Sequence, residues 1–126
     1  MMITCYTIEA DGKSEEFKNL TFEKTIDIIK NLNWVMNEDD VEADIPQINI
    51  YNAYNDFLSI SKIGGVEWQV AIHIEPPKGF LSLFKCRDSV DLDDATWEEL
   101  ENILKMFMDN QDSNRHEVFK SWKRNS

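Results

Sequence analysis

Glycine, proline, cysteine and histidine are all scarce in this chain, and long apolar runs are missing. It holds four glycines, three prolines, two cysteines and two histidines. Because no Pro/Gly/Ser-rich linker and no internal repeat divides it, we predict a single domain over residues 1–126. No stretch approaches transmembrane length, and the N-terminus lacks a basic region followed by a long apolar run. We therefore expect a cytoplasmic protein without a membrane partner.

Positive charge is also scarce. Thirteen Lys and Arg face 24 Asp and Glu, for a formal net charge of −11. The excess of acidic residues repels nucleic acid and anionic lipid but attracts cationic proteins. The need for solubility alone would also account for this excess. Residues 113–126 hold four bases against one acid and sum to +3, whereas residues 1–112 sum to −14. The basic C-terminal segment could therefore dock on the domain's own acidic surface.

The chain does have abundant apolar residues, at 42% of the total, with fourteen aromatic side chains among them. That is enough for one hydrophobic core. Runs rich in β-branched and aromatic residues predict strands over residues 2–9, 47–52, 57–63, 66–75 and 80–86. The Asp-Gly pair at residues 11–12 predicts a turn, and so does the Asn-rich segment 52–56.

The strongest local pattern lies in residues 57–75. Trp68, Val70 and Ile72 alternate with polar residues, which predicts a strand with one apolar face, and Gly64-Gly65 predicts a hairpin with the preceding strand. A two-residue glycine turn would pair serines with the apolar face. A three-residue turn at residues 63–65 would instead place Leu58 and Ile60 on the face of Trp68 and Val70, and the burial pattern favours it.

Helix signals stand near both ends of the chain. Thr21 is a good N-cap for a helix over residues 22–32, and Trp34 follows as a predicted core residue. Thr96 and Glu99 match a capping box, which predicts a second helix beginning near Thr96. Its predicted apolar stripe consists of Trp97, Leu100, Leu104, Phe107 and Met108, with Ile103 at its flank. A third, short helix is predicted over residues 114–123.

Strands gathered in the middle with helices at the ends are typical of the α+β class. We predict an antiparallel β-meander sheet of four to five strands, with two to three helices packed mainly on one face.

Signals for catalysis are weak. Cys5 and Cys86 lie in predicted strands, outside any ligand or nucleophile motif, and are interpreted as buried thiols. His73 and Glu75 share a strand face, but two ligands are too few for a tight metal site. We therefore predict no catalytic residue, no metal and no cofactor. A small enzyme or ligand-binding domain with a pocket near His73 remains an alternative.

Two segments concentrate the negative charge. Residues 38–44 carry five acids in seven positions, and residues 88–101 carry seven acids and no base. Each could be no more than a solvated loop or helix start. Together they suit a basic partner held by carboxylates around an aromatic anchor. The candidate partner-binding residues are Glu38, Asp39, Asp40, Glu42, Asp44, Asp91, Asp93, Asp94 and Glu98.

Residues 47–108 resemble bacterial immunity proteins of the polymorphic-toxin or contact-dependent growth inhibition type. The segments that carry the resemblance are Leu58-Ser59-Ile60, Trp68-Gln69-Val70 and Thr96-Trp97-Glu98-Glu99-Leu100. It implies a non-enzymatic protein that binds a cognate toxin, often a basic nuclease, and covers the site where phosphate would bind. A regulatory module that dimerises through a sheet edge or Trp122 is a further alternative, although we favour a monomer.

Overall fold

The computed structural model describes residues 3–34, 45–53, 55–63, 67–74 and 88–109. They form an α+β fold of six strands and two helices. In chain order the elements are β1 (Thr4–Ile8), β2 (Ser14–Lys18), α1 (Phe22–Asn31), β3 (Gln47–Tyr51), β4 (Phe57–Ile63), β5 (Glu67–Ile74), β6 (Asp88–Ala95) and α2 (Trp97–Asp109). Neither helix has the length and apolarity needed to cross a lipid bilayer.

The six strands form one antiparallel sheet in the order β2-β1-β3-β4-β5-β6. The last four strands make a meander, whereas β1 and its hairpin partner β2 lie on the far side of β3. The predicted count of four to five strands is therefore too low. Strands β2 and β6 were not predicted, because their charged residues conceal them, and the strand predicted over residues 80–86 lies outside the described residues.

One face of the sheet makes the core. Along β5, Trp68, Val70, Ile72 and Ile74 are buried while the residues between them are not. Leu58 and Ile60 of β4 lie on the same face, fully buried. Residues of α1 and α2 belong to the same hydrophobic cluster, so both helices cover this face. Burying each such side chain contributes about 1.5–3 kcal/mol, which makes this layer the main source of stability.

The β4–β5 register confirms the predicted faces. Leu58 and Ile60 lie on the core face as predicted, but Ile60 pairs with Val70 and Leu58 with Ile72, one core residue further along β5 than a turn at residues 63–65 would give. Ile63 was predicted to lie in the turn, but it is the last residue of β4. Since Ile63 pairs with Glu67, the three residues between the strands are 64–66 and not 63–65. The odd number of turn residues decides which side chains face the core, and that number was predicted correctly.

Local capping chemistry defines the start of both helices. The Thr21 hydroxyl accepts a hydrogen bond from the Lys24 amide at 3.2 Å, so α1 begins at Phe22 as predicted. The Thr96 hydroxyl accepts from the Glu99 amide at 3.2 Å, and the Glu99 carboxylate accepts from the Thr96 amide at 3.1 Å. This reciprocal pair is the predicted capping box. The third predicted helix lies outside the described residues.

The turn between β3 and β4 is built on two buried polar side chains. The Asn52 side-chain amide donates to the Asp56 carboxylate at 2.9 Å, and the Asp56 backbone amide donates to the Asn52 side-chain oxygen at 3.1 Å. Asn55 takes the left-handed conformation between them, with φ 63°. Since Asp56 is fully buried, removing it leaves a buried amide without this acceptor.

We therefore expect Asp56→Ala to lower the free energy of unfolding by about 2–3 kcal/mol in urea denaturation. Asp11→Ala is a matched control, because Asp11 also accepts a turn amide, that of Lys13 at 2.9 Å, but at an exposed position. Its expected loss is below about 1 kcal/mol. Equal losses in the two variants would contradict the importance given to the buried pair.

Candidate functional site

Three tryptophans meet at one end of the core. The rings of Trp34 and Trp68 lie 5.2 Å apart, edge to face, and the rings of Trp68 and Trp97 lie 5.5 Å apart. Trp68 is buried in β5, while Trp34 and Trp97 are half-buried. The indole N–H of Trp34 donates to the Ile29 carbonyl at 2.8 Å, which fixes that ring against the end of α1. These residues form the tryptophan cluster.

Two lysines lie over rings of the tryptophan cluster. Lys62 Nζ is 4.7 Å from the ring centroid of Trp68, and Lys30 Nζ is 5.6 Å from that of Trp97. Both distances are within the range of a cation–π interaction. The tryptophan cluster therefore already accepts cations from this chain.

Strand β6 places acidic side chains next to this cluster. Ala95 pairs with Trp68, but Leu92 pairs with Val70, so β6 has one more residue than β5 over this interval. Asp93 and Asp94 therefore form a β-bulge opposite a single residue of β5. In a regular strand one of the two would point into the core; the bulge leaves both exposed.

Asp91, Asp93, Asp94 and Glu98 together make what we call the acidic corner. Asp91 lies before the bulge and Glu98 in the first turn of α2, and all four side chains are exposed. The salt bridges of the described residues join other partners: Lys13 with Glu15, Lys18 with Glu16 and Lys105 with Asp109. Within the part of the chain that the structure describes, the acidic corner is thus not neutralised by an ion pair.

The other predicted binding residues are not described. Glu38, Asp39, Asp40, Glu42 and Asp44 lie in the segment 35–44, outside the described residues. In the sequence, Glu38 follows Trp34 by four residues. In the sequence, each predicted acidic segment is therefore close to a residue of the tryptophan cluster, one to Trp34 and the other to Trp97.

Sequence reasoning missed an aromatic row on the opposite face of the sheet. Tyr6 and Tyr51 meet edge to face at 5.8 Å, Tyr51 and Phe57 lie 5.4 Å apart, and Phe57 stacks on His73 at 4.3 Å. The row crosses β1, β3, β4 and β5. Strand alternation combined with the β3–β4 and β4–β5 registers would have revealed it, because these residues all alternate with buried ones.

His73 is thus placed as a stacked ring on a sheet face. Among the described residues, no group of three or more His, Cys, Asp or Glu side chains is arranged to hold a metal ion. A cleft that the described residues do form lies on the other face, between α1 and β1–β2, and His73 is not part of its lining.

Cys5 is fully buried in β1, and burial raises the pKa of its thiol from 9.0 to about 12. In the unfolded chain the thiol ionises near pH 9, while in the folded chain it stays protonated. Stability from this thiol is therefore present below pH 9 and is lost as the pH rises toward 12.

The expected loss is about 1 kcal/mol between pH 9 and pH 10, since the unfolded thiol is already half ionised at pH 9, and it is measured by urea denaturation in a Cys86→Ser background. Adding Cys5→Ala should remove this part of the pH dependence, since the other titrating groups are common to both proteins. An identical decline in stability with pH in the two proteins would contradict the assigned cause.

Comparisons of the chain with models of protein families, with curated proteins and with solved structures found no significant match.

Proposed function

We propose that this chain is a non-enzymatic immunity protein that binds and neutralises a basic, nuclease-like toxin. The observation that carries the proposal is the acidic corner, which forms no ion pair with any described residue, beside the partly exposed tryptophan cluster. Carboxylates around an aromatic anchor are the arrangement expected of a surface that captures a cationic protein. The resemblance of residues 47–108 to immunity proteins points to the same class of partner.

Charge supports the long-range part of the interaction. The formal net charge of −11 attracts a cationic protein, and the acidic corner gives that attraction a local focus. Asp93 and Asp94 are adjacent in a bulge, so their carboxylates approach a partner together. Among the described strands β6 is also the outermost on its side of the sheet, where exposed acids discourage pairing with a second sheet edge. This favours a monomer over dimerisation through β6.

The tryptophan cluster supports the short-range part. Trp is enriched among residues that dominate binding energy, because a large ring loses little entropy when it is buried. Trp34 and Trp97 are half-buried and held by ring contacts with Trp68, so they are ordered before any partner arrives. Arg or Lys side chains of a basic toxin would stack on these rings as Lys30 does on Trp97.

Inhibition would follow from charge mimicry. A nuclease binds phosphate through cationic side chains, and the carboxylates of the acidic corner would pair with those side chains and exclude the substrate. The predicted acidic loop, residues 38–44, would add to this contact. No reaction is required of the chain itself, and the encounter would take place in the cytoplasm of the cell that makes both proteins.

A second candidate is ligand binding on the sheet face opposite α1 and α2. The aromatic row that ends in the Phe57–His73 stack favours it, because flat rings suit planar or sugar ligands. Chemical shifts of Tyr6, Tyr51 and His73 that move with a small ligand, and not with a basic protein, would support this reading.

The experiment is affinity capture from the native host with the immobilised chain, followed by identification and activity assay of the captured protein. We expect a basic protein whose nuclease activity falls to background when this chain is added in equimolar amount. Recovery of acidic partners only, or full activity of the captured protein in the presence of the chain, would contradict the proposal.

A further inference from the structure

A second acidic feature lies far from the acidic corner. An open cleft of about 250 Å³ separates α1 from the β1–β2 hairpin. Its lining includes three carboxylates, those of Glu9, Glu15 and Asp27, together with Thr7 from the core face of β1. The rest of its lining is largely apolar, with Phe17 and Leu32 among it. It thus combines negative charge with an apolar wall.

The charge of the cleft is only partly compensated. Lys13 Nζ approaches Glu15 at 3.8 Å, but both side chains are more than half exposed, so this ion pair is weak. Glu9 and Asp27 form no ion pair within the part of the chain that the structure describes. The carboxylates are not gathered into a metal-binding group either. The cleft therefore suits a cation that reaches several separate acceptors.

The buried hydroxyl of Thr7 gives independent support for a ligand in the cleft. This residue is only 4% exposed, yet its hydroxyl forms no hydrogen bond with any described residue. A buried hydroxyl without a partner costs free energy. Because Thr7 lines the cleft, a ligand that donates an N–H there would satisfy the hydroxyl oxygen.

We propose that this cleft binds a guanidinium group carried on an aliphatic stem. The planar guanidinium has five N–H donors in a fixed fork, so it can bridge Asp27, Glu15 and the Thr7 hydroxyl, and it is less strongly hydrated than an ammonium. The stem would lie on Phe17 and Leu32. A cleft of about 250 Å³ is small for an ordinary ligand pocket but adequate for one such side chain.

The guanidinium has two possible sources, a free small molecule or an arginine of a polypeptide. Only the second source rests on the proposed function, since the arginine would belong to the basic toxin. Agmatine probes the free cation, and N-acetyl-arginine methylamide probes the arginine within a chain. Binding of agmatine alone assigns the cleft to a small molecule, whereas binding of both admits the side chain of a partner.

The test is a titration of the full-length protein with each probe, followed by amide chemical shifts. We expect shifts at Thr7, Phe17 and Asn31, and an affinity at least about fivefold weaker in Asp27→Asn. Thr7→Val keeps the side-chain shape and should weaken binding about threefold. Glu23→Gln is the matched control on α1, outside the cleft lining, and should bind within about twofold of the original protein.

Saturable shifts at these residues that the two cleft variants weaken would support the proposal. Absence of shifts with both probes, or equal affinity in all variants, would overturn it. Neither result affects the acidic corner, because partner capture is tested there with a different protein and different substitutions. The two proposals can therefore fail separately.

Discussion

Replacing both Asp93 and Asp94 by lysine should slow the association of the captured basic partner at least about tenfold at low salt. The two carboxylates are exposed in the β6 bulge and are not ion-paired with any described residue, so reversal turns an attractive patch into a repulsive one. The substitutions should leave the fold intact, since neither side chain is buried. Stopped-flow or surface-based kinetics would measure the rate constant.

A control must separate local charge from total charge. Asp11→Lys with Glu16→Lys changes the net charge by the same amount but on the β1–β2 hairpin, where β2 is the opposite edge of the sheet. Six strands at about 4.8 Å spacing put the two edges roughly 24 Å apart. We expect the control to slow association less than about threefold. Equal slowing by both pairs would contradict a dominant role of the acidic corner in association.

Trp68→Ala should give the largest loss of stability, about 3–5 kcal/mol in urea denaturation. Trp68 is 8% exposed and contacts both other rings of the tryptophan cluster as well as Lys62. Truncation leaves a large cavity where β5 pairs with Ala95 of β6, beside the bulge. Because the β6 bulge packs beside this cavity, the carboxylates of the acidic corner should no longer be held in fixed positions.

The neighbouring residue provides the control for this truncation. Gln69 lies on the opposite face of β5, half-buried, and Gln69→Ala should cost less than about 1 kcal/mol. A loss below about 1 kcal/mol for Trp68→Ala would contradict the view that the tryptophan cluster anchors this end of the core.

The helices and the central hairpin could be predicted because local chemistry determines them. Thr21 and the Thr96–Glu99 pair mark helix starts by accepting hydrogen bonds from backbone amides that have no partner within the helix. In the hairpin, alternation of Trp68, Val70 and Ile72 admitted only one parity of the turn. These signals depend on residues close in sequence, so one chain suffices to detect them.

Strands β2 and β6 could not be predicted, because their residues have low strand propensity. Three of the five residues of β2 and four of the eight of β6 are charged. Each has a neighbour on one side only among the described strands, and such residues are tolerated at that position. In β6 the bulge at Asp93 and Asp94 also interrupts alternation, so the segment looks like an acidic linker to α2.

The role of the candidate site stays a prediction. Asp91, Asp93, Asp94 and Glu98 were selected for charge alone, and all four side chains are exposed, three of them on β6 and one in the first turn of α2. Their position beside Trp34, Trp68 and Trp97 depends on β5–β6 pairing and helix packing, which no local pattern specifies. The cleft between α1 and the β1–β2 hairpin likewise depends on contacts between residues far apart in the sequence.

The most direct test of the proposed function is the salt dependence of association between this chain and its captured partner. If concentrated negative potential guides the encounter, the rate constant should fall more than about tenfold between roughly 0.05 and 0.5 M salt, with a much smaller change in the dissociation rate. A rate constant that stays the same across this range would contradict an interface built on the acidic corner.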